Sequence, residues 1–114
     1  MIRIDATAPQ PVFEQLRQQI SAQVESGELQ PGDKLPTVRA LAAELGLAPN
    51  TVARAFRDLE AAGVVDTRGR AGTFVSGDHR GRAAGQAAAD YVGKVRALGL
   101  SDAEAIELVT RALH

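Results

Sequence analysis

The sequence predicts a mainly α-helical fold with one small β-hairpin, arranged as a domain at residues 9–76 and a two-helix tail at residues 77–114. Apolar residues recur at helical spacing in five segments of this 114-residue chain. Glycine or proline stands at the borders of these segments. Two short β-prone segments also flank a glycine-containing turn near residue 70.

The first helix is predicted to begin at Pro11 and to end near Gly27, because proline suits a first helical turn and glycine suits the position after the last. Its apolar face consists of residues four positions apart: Val12, Leu16, Ile20 and Val24. The polar residues between them are predicted to face water: Gln15, Arg17, Gln18, Gln19 and Gln23.

Two helices separated by a tight turn are predicted next. Thr37 is the predicted N-cap of a short helix that ends at Gly46, and Pro49 opens a second helix that ends between residues 59 and 62. The second helix has apolar residues at the spacing of one buried face: Val52, Ala55, Phe56 and Leu59. This arrangement is a helix-turn-helix, whose second helix can place its N-terminal side chains in the major groove of DNA.

Residues 64–68 and 73–75 are predicted to form a β-hairpin with its tip at residues 69–72, and Phe74 is predicted to lie in the core with Phe56. Arg68 and Arg70 flank the glycine tip and can reach a minor groove or its phosphates. The same two arginines can instead only shield a hairpin edge. With the hairpin, the domain is predicted to be a winged helix-turn-helix.

The tail is predicted to form two amphipathic helices, the second opened by a capping box at residues 101–104. Their apolar faces are too large for so short a chain to bury, so we expect them to pack against a second copy rather than against the first domain. Tyr91 is interpreted as a packing residue at a helix interface rather than a ligand contact. The residues predicted to form a dimer interface are Tyr91, Val92, Val95, Leu98, Ile106, Val109 and Leu113.

Composition excludes several kinds of site. The chain has no cysteine and two histidines, His79 and His114, so we predict neither a metal site nor a cofactor. No apolar run approaches the roughly 18 residues of a membrane span, and no secretory signal precedes the first domain, so we expect a cytoplasmic protein without membrane contact. Because the net charge is −1, attraction to DNA must come from a few placed arginines.

Polar residues at the front of the second helix are the candidates for base contact. Asparagine can bind adenine through two hydrogen bonds and arginine can bind guanine, whereas threonine can contact phosphate or a thymine methyl group. The candidates on this helix are Asn50, Thr51, Arg54 and Arg57. Asn50 and Thr51 can instead cap the helix, and the two arginines can instead pair with Asp58 or Glu60.

Several runs of the sequence resemble the DNA-binding domain of the GntR family of regulators: PVFEQL at 11–16, GDKLPTVR at 32–39, LAAELG at 41–46, PNTVARAF at 49–56, LEAAGVV at 59–65 and GTFV at 72–75. The resemblance covers residues 9–76 without a break, and the short tail is similar to the YtrA subfamily, in which two helices dimerise. Pro49 and Ala53 stand where many members of the family have arginine, and the first wing glycine comes one position early.

The resemblance implies a homodimeric transcription factor that binds a pseudo-palindromic operator in double-stranded DNA. In this subfamily it implies a repressor of a neighbouring transporter-type operon, released by a small effector. It also places a DNA-contacting arginine at Arg39, which could otherwise be an ordinary surface residue. The residues predicted to contact DNA are Thr37, Arg39, Pro49, Asn50, Thr51, Arg54, Arg57, Arg68, Gly69, Arg70, Gly72 and Thr73.

Two other function classes fit parts of the sequence. A winged domain can serve as a protein-interaction module, and DNA binding would differ from it by a steep dependence on salt. Some members of the family carry a pyridoxal-phosphate domain, for which the lysine here would be Lys34 or Lys94. Neither lysine stands in a plausible pocket, so we predict that the protein is not an enzyme.

Overall fold

A computed structural model of the chain describes residues 2–114. Its helices and strands occur in the predicted order, which confirms the predicted fold class. The elements are α1 (Val12–Ser26), α2 (Val38–Leu45), α3 (Pro49–Ala61), β1 (Val65–Thr67), a 3-10 turn (Gly69–Ala71), β2 (Thr73–Val75), α4 (His79–Ala97) and α5 (Asp102–Ala112). No helix among these residues is both long enough and apolar enough to span a bilayer.

The predicted helix borders are confirmed by local hydrogen bonds. The Thr37 hydroxyl accepts a hydrogen bond from the Ala40 backbone N–H at 3.1 Å, which caps α2. The turn that follows α2 contains Gly46 at φ 69°, a left-handed conformation that glycine adopts without steric cost. At the start of α5, Ser101 and Glu104 each bond the other's backbone N–H, so the capping box is formed.

The core lies between α1, α3 and the wing, the segment from β1 to β2. Its fully buried side chains include Leu16 and Ile20 of α1, Val52 and Leu59 of α3, and Val75 of β2. Phe56 is also buried, as predicted, whereas Phe74 is only half-buried. Phe74 was predicted to belong to the core, but it lies on the outer face of the wing, because its neighbour Val75 points inward and successive strand residues alternate.

The prediction that the polar residues of α1 all face water is wrong for Gln15. Its side chain is buried because the N-terminal segment folds back over α1. The Gln15 amide donates to the Asp5 carbonyl and accepts from the Asp5 backbone N–H, both at 2.8 Å. Ile2 and Ile4 of this segment pack against the core, so the segment before residue 9 contributes to the packing of the first domain.

The same prediction is wrong for Arg17, whose side chain is 2% exposed. Its guanidinium group forms ion pairs with Glu14 of α1 and with Asp90 of α4, the latter at 3.0 Å. Burial alone would lower the pKa of Arg17, but the hydrogen bonds to Asp90 and Glu14 outweigh it and raise the pKa above its ordinary value. Arg17 therefore stays charged and joins the first domain to the tail.

A third extended segment extends the wing sheet. β1 and β2 pair in antiparallel register, with Val65 opposite Val75 and Thr67 opposite Thr73. On the other edge of β2, the Leu35 backbone N–H donates to the Thr73 carbonyl at 2.8 Å, and the Val75 N–H donates to the Asp33 carbonyl at 2.8 Å. The sequence did not predict this third segment.

The tail packs on the end of α3 through glycine. A Cβ atom added to Gly85 of α4 would lie 1.5 Å from the carbonyl oxygen of Ala62, so the two backbones touch there. Arg82, which is 5% exposed, donates to the Ser76 carbonyl and ties α4 to the end of β2. Between the tail helices of the same chain, the Tyr91 hydroxyl donates to the Ala105 carbonyl at 2.7 Å.

Candidate nucleic-acid interface

Helix α3 presents its polar residues on the face opposite the core. Val52, Ala55 and Leu59 are buried, whereas Asn50 and Arg57 are exposed. Since residues three, four and seven positions apart share one helical face, Asn50, Arg54 and Arg57 project together away from the core. This is the face that a helix inserted into a DNA groove would offer.

The residues at the start of α3 do not cap it. The N-cap position is held by Ala48, and no side chain accepts a capping hydrogen bond at this helix end. Pro49 stands in the first turn and has no N–H to donate, and the Thr51 backbone N–H bonds the Ala48 carbonyl at 3.0 Å. Asn50 is exposed and its side-chain amide forms no hydrogen bond within residues 2–114, and the half-buried Thr51 does not cap the helix either.

Thr37 and Arg39 lie at the start of α2. The Thr37 oxygen accepts the capping hydrogen bond, so its hydroxyl hydrogen remains free to donate. Arg39 is exposed and forms no ion pair with any residue between 2 and 114. Both side chains are therefore available to a phosphate group approaching the first turn of α2.

Arg54 and Arg57 do not form the alternative ion pairs with Asp58 or Glu60 in the part of the chain that the structure describes. Arg57 is exposed. Arg54 is also exposed, but its guanidinium carbon lies 3.7 Å from the centroid of the Phe13 ring of α1, a cation–π contact. Arg54 must leave or pivot on this ring if it is to reach a base.

The wing tip is a 3-10 turn closed by glycine. The Arg68 backbone N–H donates to the Gly72 carbonyl at 2.8 Å, and both tip glycines have positive φ angles, 54° at Gly69 and 117° at Gly72. Arg70 is exposed at the tip, whereas the Arg68 guanidinium lies over the Phe74 ring at 4.6 Å from its centroid. Thr73, the first residue of β2, is half-buried.

The arginines of this surface form no ion pairs within residues 2–114, and the same is true of Arg3, Arg80 and Arg82 elsewhere. Among residues 2–114, ion pairs neutralise Arg17, Arg96 and Arg111. No arginine that was predicted to contact DNA takes part in one. The surface thus carries unpaired positive charge although the net charge of the chain is −1, as local attraction to phosphates requires. The described residues contain no cluster of three or more acidic or histidine side chains that could hold a metal ion.

The apolar residues of the tail fall into two groups. Val95 is buried within the chain, and Tyr91 and Val92 are half-buried. The other four residues of the predicted interface are exposed: Leu98 at 76%, Ile106 at 68%, Val109 at 39% and Leu113 at 80%. Leu108, exposed at 39%, was not among them. We call Leu98, Ile106, Val109 and Leu113 the exposed tail face.

A groove of about 1330 Å³ runs alongside the contacts between the first domain and the tail, with α1 and α3 on one side and α4 on the other. Phe13 and Arg54 line one side, and Gln86 and Lys94 of α4 line the other. The Gln86 side-chain oxygen is buried and accepts no hydrogen bond from the described residues. The sequence did not predict that Arg17, which lines this groove, is buried, because its partner Asp90 lies 73 residues away and leaves no local signature.

Comparisons with known proteins agree with the geometry. Residues 12–75 match the profile of the family described as "Bacterial regulatory proteins, gntR family". The chain is 52% identical over 110 residues to the HTH-type transcriptional regulator Rv1152 of Mycobacterium tuberculosis, covering 96% of this chain and 91% of that protein. It is 46% identical over 77 residues to the HTH-type transcriptional repressor YtrA of Bacillus subtilis, covering 67% of this chain and 58% of that protein.

Solved structures show the same similarity. The structure of YtrA from Sulfolobus acidocaldarius, a GntR-family transcription factor, has a TM-score of 0.65 at 29% identity and covers 98% of this chain and 96% of that one. The DNA-binding domain of AraR, solved in complex with operator ORX1, has a TM-score of 0.60 at 26% identity and covers 66% of this chain and 96% of that one. The second similarity is confined to part of this chain, whereas the first extends over the tail.

Proposed function

Because the chain belongs to the GntR family of bacterial regulatory proteins, we propose that it is a homodimeric repressor that binds a specific, pseudo-palindromic DNA operator. Residues 9–76 form the DNA-binding domain in this proposal, and residues 77–114 form the dimerisation tail. The observation that carries the proposal is the exposed polar face of α3, where Asn50 and Arg57 have no partner within residues 2–114.

In the proposed complex, the start of α3 enters the major groove, and α2 contacts the backbone through Thr37 and Arg39. Asn50 would form paired hydrogen bonds with adenine, and Thr51 would contact a phosphate or a thymine methyl group. Arg54 and Arg57 follow one and two turns later, where a guanine or the backbone can be reached.

We expect Asn50→Ala to relax the base preference at one position of each half-site. Loss of the paired hydrogen bonds with adenine weakens the binding free energy by about 1–3 kcal/mol at the preferred site and changes it little for other sequences. Because Asn50 forms no capping bond, the fold should be unchanged. The measurement is affinity for the preferred duplex and for a duplex with that base pair exchanged. An equal decrease on both duplexes would contradict base contact.

The wing supplies sequence-independent contacts in this proposal. Arg68→Ala combined with Arg70→Ala should weaken binding to all duplexes alike and reduce the steepness of the salt dependence by about 0.9 for each phosphate that is no longer neutralised. Gel-shift titrations at several salt concentrations measure both quantities. If the double variant keeps the full affinity and salt dependence, the wing does not contact DNA.

Dimerisation is proposed through the exposed tail face. Large apolar side chains on a short helix remain in water unless another surface covers them. A twofold arrangement would cover them with the same residues of a second copy. It would also place two α3 helices about one helical turn of DNA apart, which a pseudo-palindrome matches.

The YtrA repressor is a relative of this chain, and on that resemblance we propose a neighbouring transporter-type operon as the target. The proposed effector is a small molecule that changes the spacing of the two α3 helices. The groove between the first domain and the tail is its proposed site, because it is lined by residues of both. A compound that releases the protein from its operator and is no longer effective on a Gln86→Leu variant would support this site.

The function is tested by selecting bound fragments from random DNA with the purified protein at moderate salt. Recovery of pseudo-palindromic sites with half-sites about one turn apart supports a dimeric regulator and identifies its genes. Failure to enrich any sequence, together with capture of a protein partner whose binding is insensitive to salt, would support the interaction-module alternative. The relatives in the comparisons are transcriptional regulators, and we assign no catalytic function.

A further inference from the structure

A lysine outside the helix-turn-helix and the hairpin reaches the wing tip. Lys34 lies in the extended segment that pairs with β2, directly opposite Phe74. Opposed residues of an antiparallel pair share a face of the sheet, so Lys34 and Phe74 lie on the outer face. Arg68 covers the Phe74 ring on that same face. The third segment thus adds a positive charge beside the two wing arginines.

The Lys34 side chain runs along the wing toward its tip. A Cβ atom added to Gly72 would lie 2.7 Å from the Lys34 Cε and 3.5 Å from its Nζ. The space that a side chain at position 72 would fill is therefore occupied by the end of Lys34. Gly72 has two roles here, because it closes the turn at positive φ and leaves room for this lysine.

The Lys34 ammonium group has no carboxylate partner among residues 2–114. The adjacent Asp33 carboxylate already accepts a hydrogen bond from the Gln30 backbone N–H at 2.8 Å. Asp66, opposite Phe74 on the other strand, is exposed and does not pair with Lys34. An exposed ammonium on a flexible stem is a compact charge suited to phosphate and poorly suited to reading base edges.

We propose that Lys34 is a phosphate-contacting residue of the wing, supplied by the segment before α2. This inference rests on the proposed DNA-binding function, and it adds a contact that the motifs of the sequence did not indicate. Lys34, Arg68 and Arg70 would together hold the backbone on both sides of the groove that the wing tip approaches. Their contribution would be the same for every sequence and would weaken with salt.

The chain has only two lysines, Lys34 and Lys94, which makes chemical protection a direct test. The purified protein is acetylated at low salt with and without a mixed-sequence duplex of about 30 base pairs, and the rate at each lysine is followed by mass spectrometry. We expect DNA to slow acetylation of Lys34 several-fold. Lys94, in the tail, is the internal reference and should react at an unchanged rate.

A variant that removes the charge of Lys34 distinguishes contact with a phosphate from mere covering of the lysine by bound DNA. Lys34→Gln should lower affinity about tenfold at 0.1 M salt and reduce the slope of log affinity against log salt by about 0.9 for each protomer bound. Lys34→Arg should restore both quantities. The thermal midpoint of each variant checks that the wing remains folded.

The outcomes separate this inference from the proposed function. If the duplex binds and Lys34 reacts as fast as in the free protein, the inference is wrong and DNA binding stands. A lower affinity of Lys34→Gln with an unchanged salt slope would also overturn it, since Lys34 would then act only by packing over Gly72. If no duplex binds even at low salt, the proposed function fails and the inference fails with it.

Discussion

Ile106→Asp is expected to convert the protein into a monomer and to weaken binding to a two-half-site operator by about 10²–10⁴. Ile106 is 68% exposed in the single chain and belongs to the exposed tail face. A carboxylate there would have to be desolvated in a dimer without a partner, which strongly opposes association. Binding to a single half-site should change little, because the residues of α2, α3 and the wing are untouched.

Sedimentation gives the mass of the variant, and titrations against duplexes with one and two half-sites give the two affinities. Arg111→Asp is the matched control, since it introduces the same residue on a different face of α5. It replaces an exposed ion pair with Glu107 by a like-charge pair, and exposed pairs of either kind change stability little. If Ile106→Asp sediments as a dimer, the exposed tail face is not the interface.

Gly85→Ala is expected to separate the tail from the first domain and to lower the free energy of unfolding by about 1–3 kcal/mol. The added Cβ would lie 1.5 Å from the Ala62 carbonyl oxygen, a backbone atom. A flexible side chain could move aside, but here α4 must shift as a whole. The shift would also strain the ion pair between Arg17 and Asp90, which joins α1 to α4 at 3.0 Å.

Gly93→Ala is the matched control on the same helix. The nearest atom to its added Cβ would be in the Glu14 carboxyl group at 3.7 Å, an ordinary contact. Alanine is favoured over glycine in a helix by roughly 0.5–1 kcal/mol, so this variant should be as stable as the parent or slightly more so. Urea unfolding compares the three proteins, and equal free energies for the two variants would show that α4 does not press on α3 at Gly85.

Ile106→Asp and Gly85→Ala test two different contacts of the tail. The exposed tail face would determine whether two copies associate, and the contacts of α4 determine how each DNA-binding domain is held relative to its tail. Buried Arg17 and Arg82 reinforce that junction by bonding Asp90 and Ser76. In the proposed regulation, an effector in the adjoining groove would act on these contacts.

The order and borders of the elements could be predicted from neighbouring residues alone. Caps and turns are local, so Thr37 at the start of α2, Gly46 after it and the capping box at Ser101 were recognisable in the sequence. The helical period likewise separated the buried face of α3 from the face that carries Asn50 and Arg57. The candidate DNA-contacting face of α3 could be predicted for the same reason, because the buried face and the exposed face belong to one helix.

The packing of the helices and strands decides which polar residues are buried and which residues cover them. Gln15 and Arg17 occupy the side of α1 that the helical period predicts to be wet, yet the N-terminal segment and α4 bury them. Lys34 lies beside the wing through a sheet contact with Phe74, which is far away in the sequence, and Arg54 is drawn onto Phe13. Spacing along a chain reports which residues share a face, but the partner that covers that face comes from distant sequence and has no local pattern.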